Sequence, residues 1–555
     1  MKKKILIFTA LVCMGMMNSC KDKFLETTPL GVGNEAMLSN KTGVNSVLIG
    51  AYSLLDGVGS GGTYFSAVSN WIYGTVASDD GYKGSDVGDL AQITTIEKYI
   101  QQADIGGFND KWVALYDGVS RSNDVLHLIA KASDMTEAEK TQATAEARFL
   151  RGWYHFEAKK MWNMVPYVDE TVTDYINLPN DKDIWPNIEA DFQFAVTNLS
   201  ATKAQVGRAS KWSAKAMLAK VHMYQSDYTA AKPLLVDIIS NGPFSLTANY
   251  RDNFKIATEN NSESVFEVQM SVADGGSGEN GSWGDNLNFP YGSGPGGCCG
   301  FYQPSQNLVN AFKTDAAGLP LLDTFNDTDV KNDEGLASSD AFTPETGTLD
   351  PRLDWTVGRR GLPFLNWGIH PGKNWIRDQS FAGPYTFKKF FASSGENAGA
   401  ESPRANANNY RAIRFADLLL MRAEIAVEES DLPTALTIVN QIRTRAATEV
   451  VKKDDGTPAA NYLVKPYAAF ASQEYARKAV RFERRLELAM EGHRHFDLVR
   501  WGNADVVLNA YIAKESKKRT YLTGAVFKKG SSEYFPIPQA QIDIMGSTIL
   551  KQNPN

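Results

Sequence analysis

The dominant pattern along the chain is apolar residues recurring every three or four positions. It predicts amphipathic helices over 113–130, 141–161, 188–199, 212–225, 230–239, 410–428, 433–445 and 472–490. Alanine, leucine, arginine and glutamate fill many positions between, and these residues lose little freedom on entering a helix. Strand signals are few: 264–271, carrying Val265, Phe266 and Val268, and 386–391. Two stretches follow neither period. Residues 57–107 and 273–409 are loop-rich, and the second shifts to Gly, Ser, Asn, Pro and aromatics, with Gly275-Gly-Ser-Gly-Glu-Asn-Gly281 and Gly292-Ser-Gly-Pro-Gly-Gly297 as its extremes. Non-periodic sequence of that length inside a compact protein is usually functional loop, so a ligand is expected there, on a rigid helical frame.

The helical pattern repeats. Ala219-Lys-Val-His-Met-Tyr-Gln-Ser-Asp-Tyr-Thr-Ala-Ala231 aligns with Ala423-Glu-Ile-Ala-Val-Glu-Glu-Ser-Asp-Leu-Pro-Thr-Ala435, and Leu234, Leu235 and Ile238 then fall on Ile438, Val439 and Ile442. Alanines let paired helices approach closely, and each Ser-Asp turn can cap the helix after it. Two helix-turn-helix units of tetratricopeptide type fit this register; chance likeness between amphipathic helices is the alternative.

Composition then narrows the function. The 555 residues are 43% hydrophobic and 22% charged, which excludes disorder and fibrous classes, and a net charge of −7 with no basic block argues against nucleic acid as a partner. Lys2, Lys3 and Lys4 precede an apolar run over 5–17 that is too short to span a bilayer and reads as an export signal. Met17-Asn18-Ser19-Cys20 then resembles a lipobox, so Cys20 is expected to become the lipidated first residue, held at a membrane surface. Removing residues 1–19 takes three lysines and moves the charge to −10.

Catalytic signals are weak. The six histidines are scattered, and there is no zinc-protease helix, phosphate loop, nucleophile elbow or usable cofactor motif. Gly292-x-Gly294-x-x-Gly297 spells a dinucleotide pattern, but Pro295 interrupts it and neither strand nor helix flanks it. Aromatics among polar loop residues are the stronger signal, because a sugar offers an apolar C–H face ringed by hydroxyls. Trp71, Tyr73, Asp79, Asp80, Tyr82, Trp283 and Tyr291 form the expected ligand set, with Trp367 and Arg377 in reserve. With Cys13 removed and Cys20 lipidated, only Cys298 and Cys299 remain. They are expected either to close a vicinal disulfide in the ligand site, on a backbone that Gly296, Gly297 and Gly300 make pliable, or to stay as two free thiols.

Several longer stretches carry a family resemblance: Cys20-Lys-Asp-Lys-Phe-Leu25, Ala145-Glu-Ala-Arg-Phe-Leu-Arg-Gly-Trp-Tyr154, Gly207-Arg-Ala-Ser-Lys-Trp-Ser-Ala-Lys-Ala216, Gln303-Pro-Ser-Gln-Asn-Leu308 and Asp350-Pro-Arg-Leu-Asp354. The C-terminal third adds Phe415-Ala-Asp-Leu-Leu-Leu-Met-Arg-Ala-Glu424, the run from Glu483-Arg-Arg-Leu-Glu487 to Trp501-Gly502, and Tyr534-Phe-Pro-Ile-Pro538. Together they resemble the SusD/RagB nutrient-uptake lipoproteins of Bacteroidetes. The resemblance implies a mostly α fold of tetratricopeptide-like helix pairs with long irregular loops and few short strands. It also implies an outer-membrane lipid anchor, display on the cell surface, no enzymatic chemistry, and a SusC-like TonB-dependent transporter as partner for a captured oligosaccharide. A peptide ligand is the nearest rival, with a surface glycosidase behind it. The expected organisation is signal peptide 1–19, tether 20–42, helical region 43–272 with the first loop cluster, loop-rich insertion 273–409, and helical region 410–555.

Overall fold

A computed structural model describes residues 35–59, 61–203, 205–276 and 278–554; the expected export signal, Cys20 and most of the expected tether lie outside the described residues. Helices occupy Lys41–Ser53, Gly106–Lys131, Glu137–Trp162, Trp185–Asn198, Lys211–Tyr224, Tyr228–Asn241, Phe415–Glu428, Leu432–Thr448 and Gln473–Glu487, and each of the later ones packs on the one before it. Their starts follow capping chemistry. Thr136 and Glu139 close a capping box, Ser472 accepts from the Tyr475 N–H, and Asp227 and Asp431 accept from Ala230 and Thr434.

The internal repeat has a structural counterpart. Ser226 and Ser430 both turn through left-handed backbone, at φ 58 and 63, immediately before their capping aspartates. Helix Tyr228–Asn241 of the first unit lies against Phe415–Glu428 of the second, so two units about 200 residues apart in sequence stack as neighbours.

What separates them leaves and returns through one narrow neck. Among the described residues six short strands, β1 Gly81–Gly84, β2 Ser264–Val268, β3 Phe301–Pro304, β4 Val357–Gly358, β5 Thr386–Phe387 and β6 Tyr410–Arg414, pair antiparallel as β1–β3, β2–β6 and β4–β5. The β2–β6 pair, with Ser264 opposite Arg414 and Val268 opposite Tyr410, holds the two ends of the loop-rich segment together. Here the expected helix over 410–428 needs correction, because its first five residues are strand β6 and the helix starts at Phe415. Pairing with β2 outweighs a helical pattern that Tyr410 and Ile413 continue.

Beneath the neck lies a cluster of buried charge. Glu487 accepts from Arg352 and Arg414, both at 3.0 Å, and from Arg445; Glu483 accepts from Arg352 at 2.7 Å and Arg443 at 2.9 Å. Glu491 takes Arg414 at 2.8 Å and Lys389 at 2.6 Å, and Glu263 takes Arg414 at 2.6 Å and Arg445 at 3.0 Å. All are buried. Gly492, at φ 75, follows this cluster and meets Gly74 backbone to backbone; a Cβ on Gly74 would lie 1.8 Å from the Gly492 carbonyl oxygen.

Two interior histidines are held neutral by geometry. His155 donates to the Arg151 carbonyl and accepts the Val168 N–H, both at 3.1 Å; His370 accepts the Gly372 N–H at 3.0 Å and donates to Thr386 Oγ1 at 3.1 Å. Burial lowers each from 6.5 to about 3. An unfolded chain therefore binds more protons than the fold as pH drops from 6.5 toward 3, and stability is lost across that window. Thermal melts followed by circular dichroism should show the midpoint falling by ~5 °C or more between pH 7 and pH 4. A flat profile would show that these rings are not held neutral.

Candidate functional site

The N-terminal loop residues expected to meet a ligand are inside the protein. Trp71 is 0% exposed on a π-helical turn, Trp71–Val76, and donates its indole N–H to the Gly284 carbonyl at 3.1 Å. Tyr73 packs edge-on against Phe535 and donates to the Gly107 carbonyl; Tyr82, on β1, donates to Glu515. Asp79 receives both nitrogens of a fork from Arg494, at 2.8 and 3.0 Å, and Arg485 bonds Asp80 at 2.7 Å. Burial works against the Asp79 carboxylate, but Arg485 and Arg494 outweigh it and carry its pKa down to about 2, while burial raises its neighbour Asp80. These five residues thus present neither a ring face nor a free carboxylate to solvent. Asp79, Asp80 and Tyr82 lock the first loop cluster onto the C-terminal helices while Trp71 and Tyr73 pack into the interior, which corrects the assignment of all five to the ligand surface.

The residues of the second loop cluster fare differently. A surface cleft of about 530 Å³ opens between the 293–296 turn, the 367–375 segment and the 391–403 loop. Trp367 is its exposed wall, 40% accessible, with its indole N–H fixed to the Ala392 carbonyl at 2.9 Å so that the ring cannot turn away. Phe289, Trp375 and Phe391 form the floor. Phe391 meets Phe289 edge-on at 4.8 Å and Trp367 edge-on at 6.4 Å, and Phe364 buttresses Trp375 from behind at 5.3 Å. Ser293, Ser393, Asn397 and Ser402 supply hydroxyl and amide groups at the rim, and glycines leave backbone exposed between them. An aromatic platform held rigid beneath hydrogen-bonding groups is what a sugar ring needs.

Tyr291, Arg377 and the cysteine pair stand beside this cleft. The Tyr291 N–H bonds the Trp375 carbonyl at 2.9 Å, and the Arg377 guanidinium lies 5.4 Å above the Tyr291 ring. Arg377 is itself held by Asp86 at 2.7 Å and Asp89 at 2.6 Å. Gly300, at φ 77, sits where a Cβ would lie 3.4 Å from Tyr291 and 3.7 Å from Arg377, so the two side chains converge on the end of the cysteine turn. The sulfurs of Cys298 and Cys299 are joined, and Arg404 donates to Cys299 Sγ at 3.1 Å. The pair does not line the cleft. It lies behind the lip, between the 293–296 turn and Arg404, which follows Ser402 and Pro403 of the facing loop. Trp283 is half-buried on the turn Trp283–Asp285 and is not among the cleft residues.

Trp367, of the sequence-derived set, therefore lines the cleft, with Tyr291, Arg377, Cys298 and Cys299 adjoining it. Phe289, Trp375 and Phe391 were missed. Each lies in the loop-rich stretch and two carry a signal by position, since Phe289 and Trp375 stand two residues before Tyr291 and Arg377.

Similarity to known proteins agrees with this architecture. A family model described as "Starch-binding associating with outer membrane" matches residues 24–223. SusD-like protein P25 of Formosa agariphila is 27% identical over 90% of this chain and 88% of its own length, and a SusD-like protein of Bacteroides ovatus is 24% identical over 83% and 75%. A solved SusD superfamily protein from Bacteroides vulgatus superposes with a TM-score of 0.69 at 20% identity, over 93% of this chain and 98% of that one. Surface glycan-binding protein A from Bacteroides thetaiotaomicron, solved with laminarihexaose, gives 0.64 at 22% identity, over 93% and 99%. Since the model of the SusD family matches residues 262–555, more than half the sequence and all of its C-terminal signature, the chain belongs to the SusD family.

Proposed function

We propose that this protein is a cell-surface lipoprotein that captures an oligosaccharide in the Trp367 cleft and hands it to a SusC-like TonB-dependent transporter in the outer membrane, without covalent chemistry. The observation that carries the reading is the anchored, half-exposed indole of Trp367 over a floor of Phe289, Trp375 and Phe391. Support also comes from relatives whose names record glycan or laminarin binding, and from a family description that places starch binding at the outer membrane. Anchoring rests on the lipobox-like Met17-Asn18-Ser19-Cys20, and transporter delivery on family membership. In this reading the vicinal cysteine pair braces the cleft lip through Arg404 rather than stacking on the sugar.

Trp367→Ala removes the platform while leaving the buried floor in place, and should weaken oligosaccharide binding by about 1–3 kcal/mol in calorimetry. Unchanged affinity would place the site elsewhere. Cys20→Ala should abolish lipid labelling and release the protein from the membrane fraction; normal labelling of that variant would refute the anchor. For the cysteines, alkylation followed by intact mass should modify neither Cys298 nor Cys299 until a reductant is added. Prompt double labelling of the native, unreduced protein would show two free thiols.

A further inference from the structure

The cleft lacks something the rest of the surface has. Among the described residues, none of the seventeen that line it is charged, in a chain where 22% are. Random lining of that size would carry three or four charges, so the absence bears on what the cleft holds. Most of the charged residues beside it are occupied by partners of their own, and Lys373, exposed between Trp367 and Trp375, stands outside the lining. Within the 391–403 loop, Glu396 caps the Ser393 N–H and Glu401 accepts the Asp274 N–H at 3.2 Å, while the adjoining Arg404 points to Cys299 Sγ. Beside the 367–375 segment Arg377 is taken by Asp86 and Asp89. Beneath the floor, Arg251 spends its guanidinium on the Lys389 and Phe391 carbonyls.

We propose that the cleft selects a neutral glycan, a polymer of uncharged hexose or pentose units, and discriminates against uronates, sulfated sugars and charged peptides. This rests on the glycan reading above and names its substrate class. A carboxylate or sulfate entering the cleft would shed hydration and meet no cation among the lining residues, which leaves its desolvation poorly compensated. A sugar hydroxyl is both donor and acceptor, and so are the groups offered here: serine hydroxyls, the remaining hydrogen and lone pair of the Asn397 amide, whose other valences go to Asn406 and Ala407, and the backbone of Gly296 and Gly399.

The test is calorimetry on the soluble mature protein with neutral hexasaccharides (laminari-, malto-, cello-, xylo- and mannohexaose), a hexauronate from alginate and a lysine-rich hexapeptide, each at 20 and 500 mM NaCl. At least one neutral hexasaccharide should bind with a Kd that changes less than twofold between the two salts and rises about fivefold or more in Trp367→Ala. The hexauronate and the peptide should bind at least tenfold more weakly than that hexasaccharide at 20 mM NaCl. Ala398→Lys, at an exposed position on the lining, should then confer hexauronate binding that fades at 500 mM NaCl. Hexauronate or peptide binding that equals the neutral ligand and weakens with salt in the unmodified protein overturns the neutral class while leaving capture at Trp367 intact. If no saccharide binds, or binding ignores Trp367, the glycan reading itself fails and this inference with it.

Discussion

A charge taken out of water must meet its opposite in good geometry, and in this protein that requirement organises everything above the helical frame. Glu483, Glu487 and Glu491 are brought inside by the helix Gln473–Glu487 and the turn after it, and cations from four distant segments converge on them: Arg352, Lys389, Arg414, and Arg443 with Arg445. Such pairs add little net stability over an apolar replacement, but losing one partner strands a buried charge at a cost of about 3–5 kcal/mol. The arrangement therefore specifies position more than it adds stability. Each cation belongs in one place, and the loop that carries it is placed accordingly.

The consequence reaches the ligand surface. Lys389 is two residues from Phe391 on the cleft floor and bonds Glu491 at 2.6 Å. Its neighbour Lys388 donates to the Asp354 and Pro363 carbonyls, and Arg251 holds the carbonyls of Lys389 and Phe391 from below. A stretch with almost no regular secondary structure is thus fixed by buried cations, and an aromatic floor made from loop is as well supported as one made from helix. Charge concentrated inside for placement leaves the outer cleft to uncharged groups.

The same logic explains what could be read from the amino-acid sequence. Most helices with strong periodicity are legible to within about four residues of their ends, because local spacing decides which face is buried, and the Ser-Asp turns announce their own caps; Gly106–Lys131 starts seven residues before the expected 113, and Lys41–Ser53 is not among the expected helices. Strand β6 was not legible, since Tyr410–Arg414 becomes extended only by pairing with β2, about 145 residues earlier. The aromatic cluster signalled a site, but exposure depends on partners remote in sequence. Asp79 and Asp80 look like free loop carboxylates until Arg485 and Arg494 arrive from some 400 residues away, and Trp71 looks like a platform until the Gly284 carbonyl takes its N–H. Trp367 and Trp375 differ by eight residues and share a composition; the Ala392 carbonyl fixes one as a wall while packing against Phe364 makes the other a floor.

The β2–β6 neck gives the molecule a modular character. Because both ends of the excursion are clamped side by side and β3 within it is held by β1, residues added at its exposed loop tips leave the spacing of the helices unchanged and raise the closure cost only logarithmically. The cleft can then diversify as a cassette on a constant chassis. Its freedom has a stated boundary: Arg352 and Lys389 lie inside the cassette yet complete the chassis, so any exchanged segment must bring its own cations to Glu483, Glu487 and Glu491.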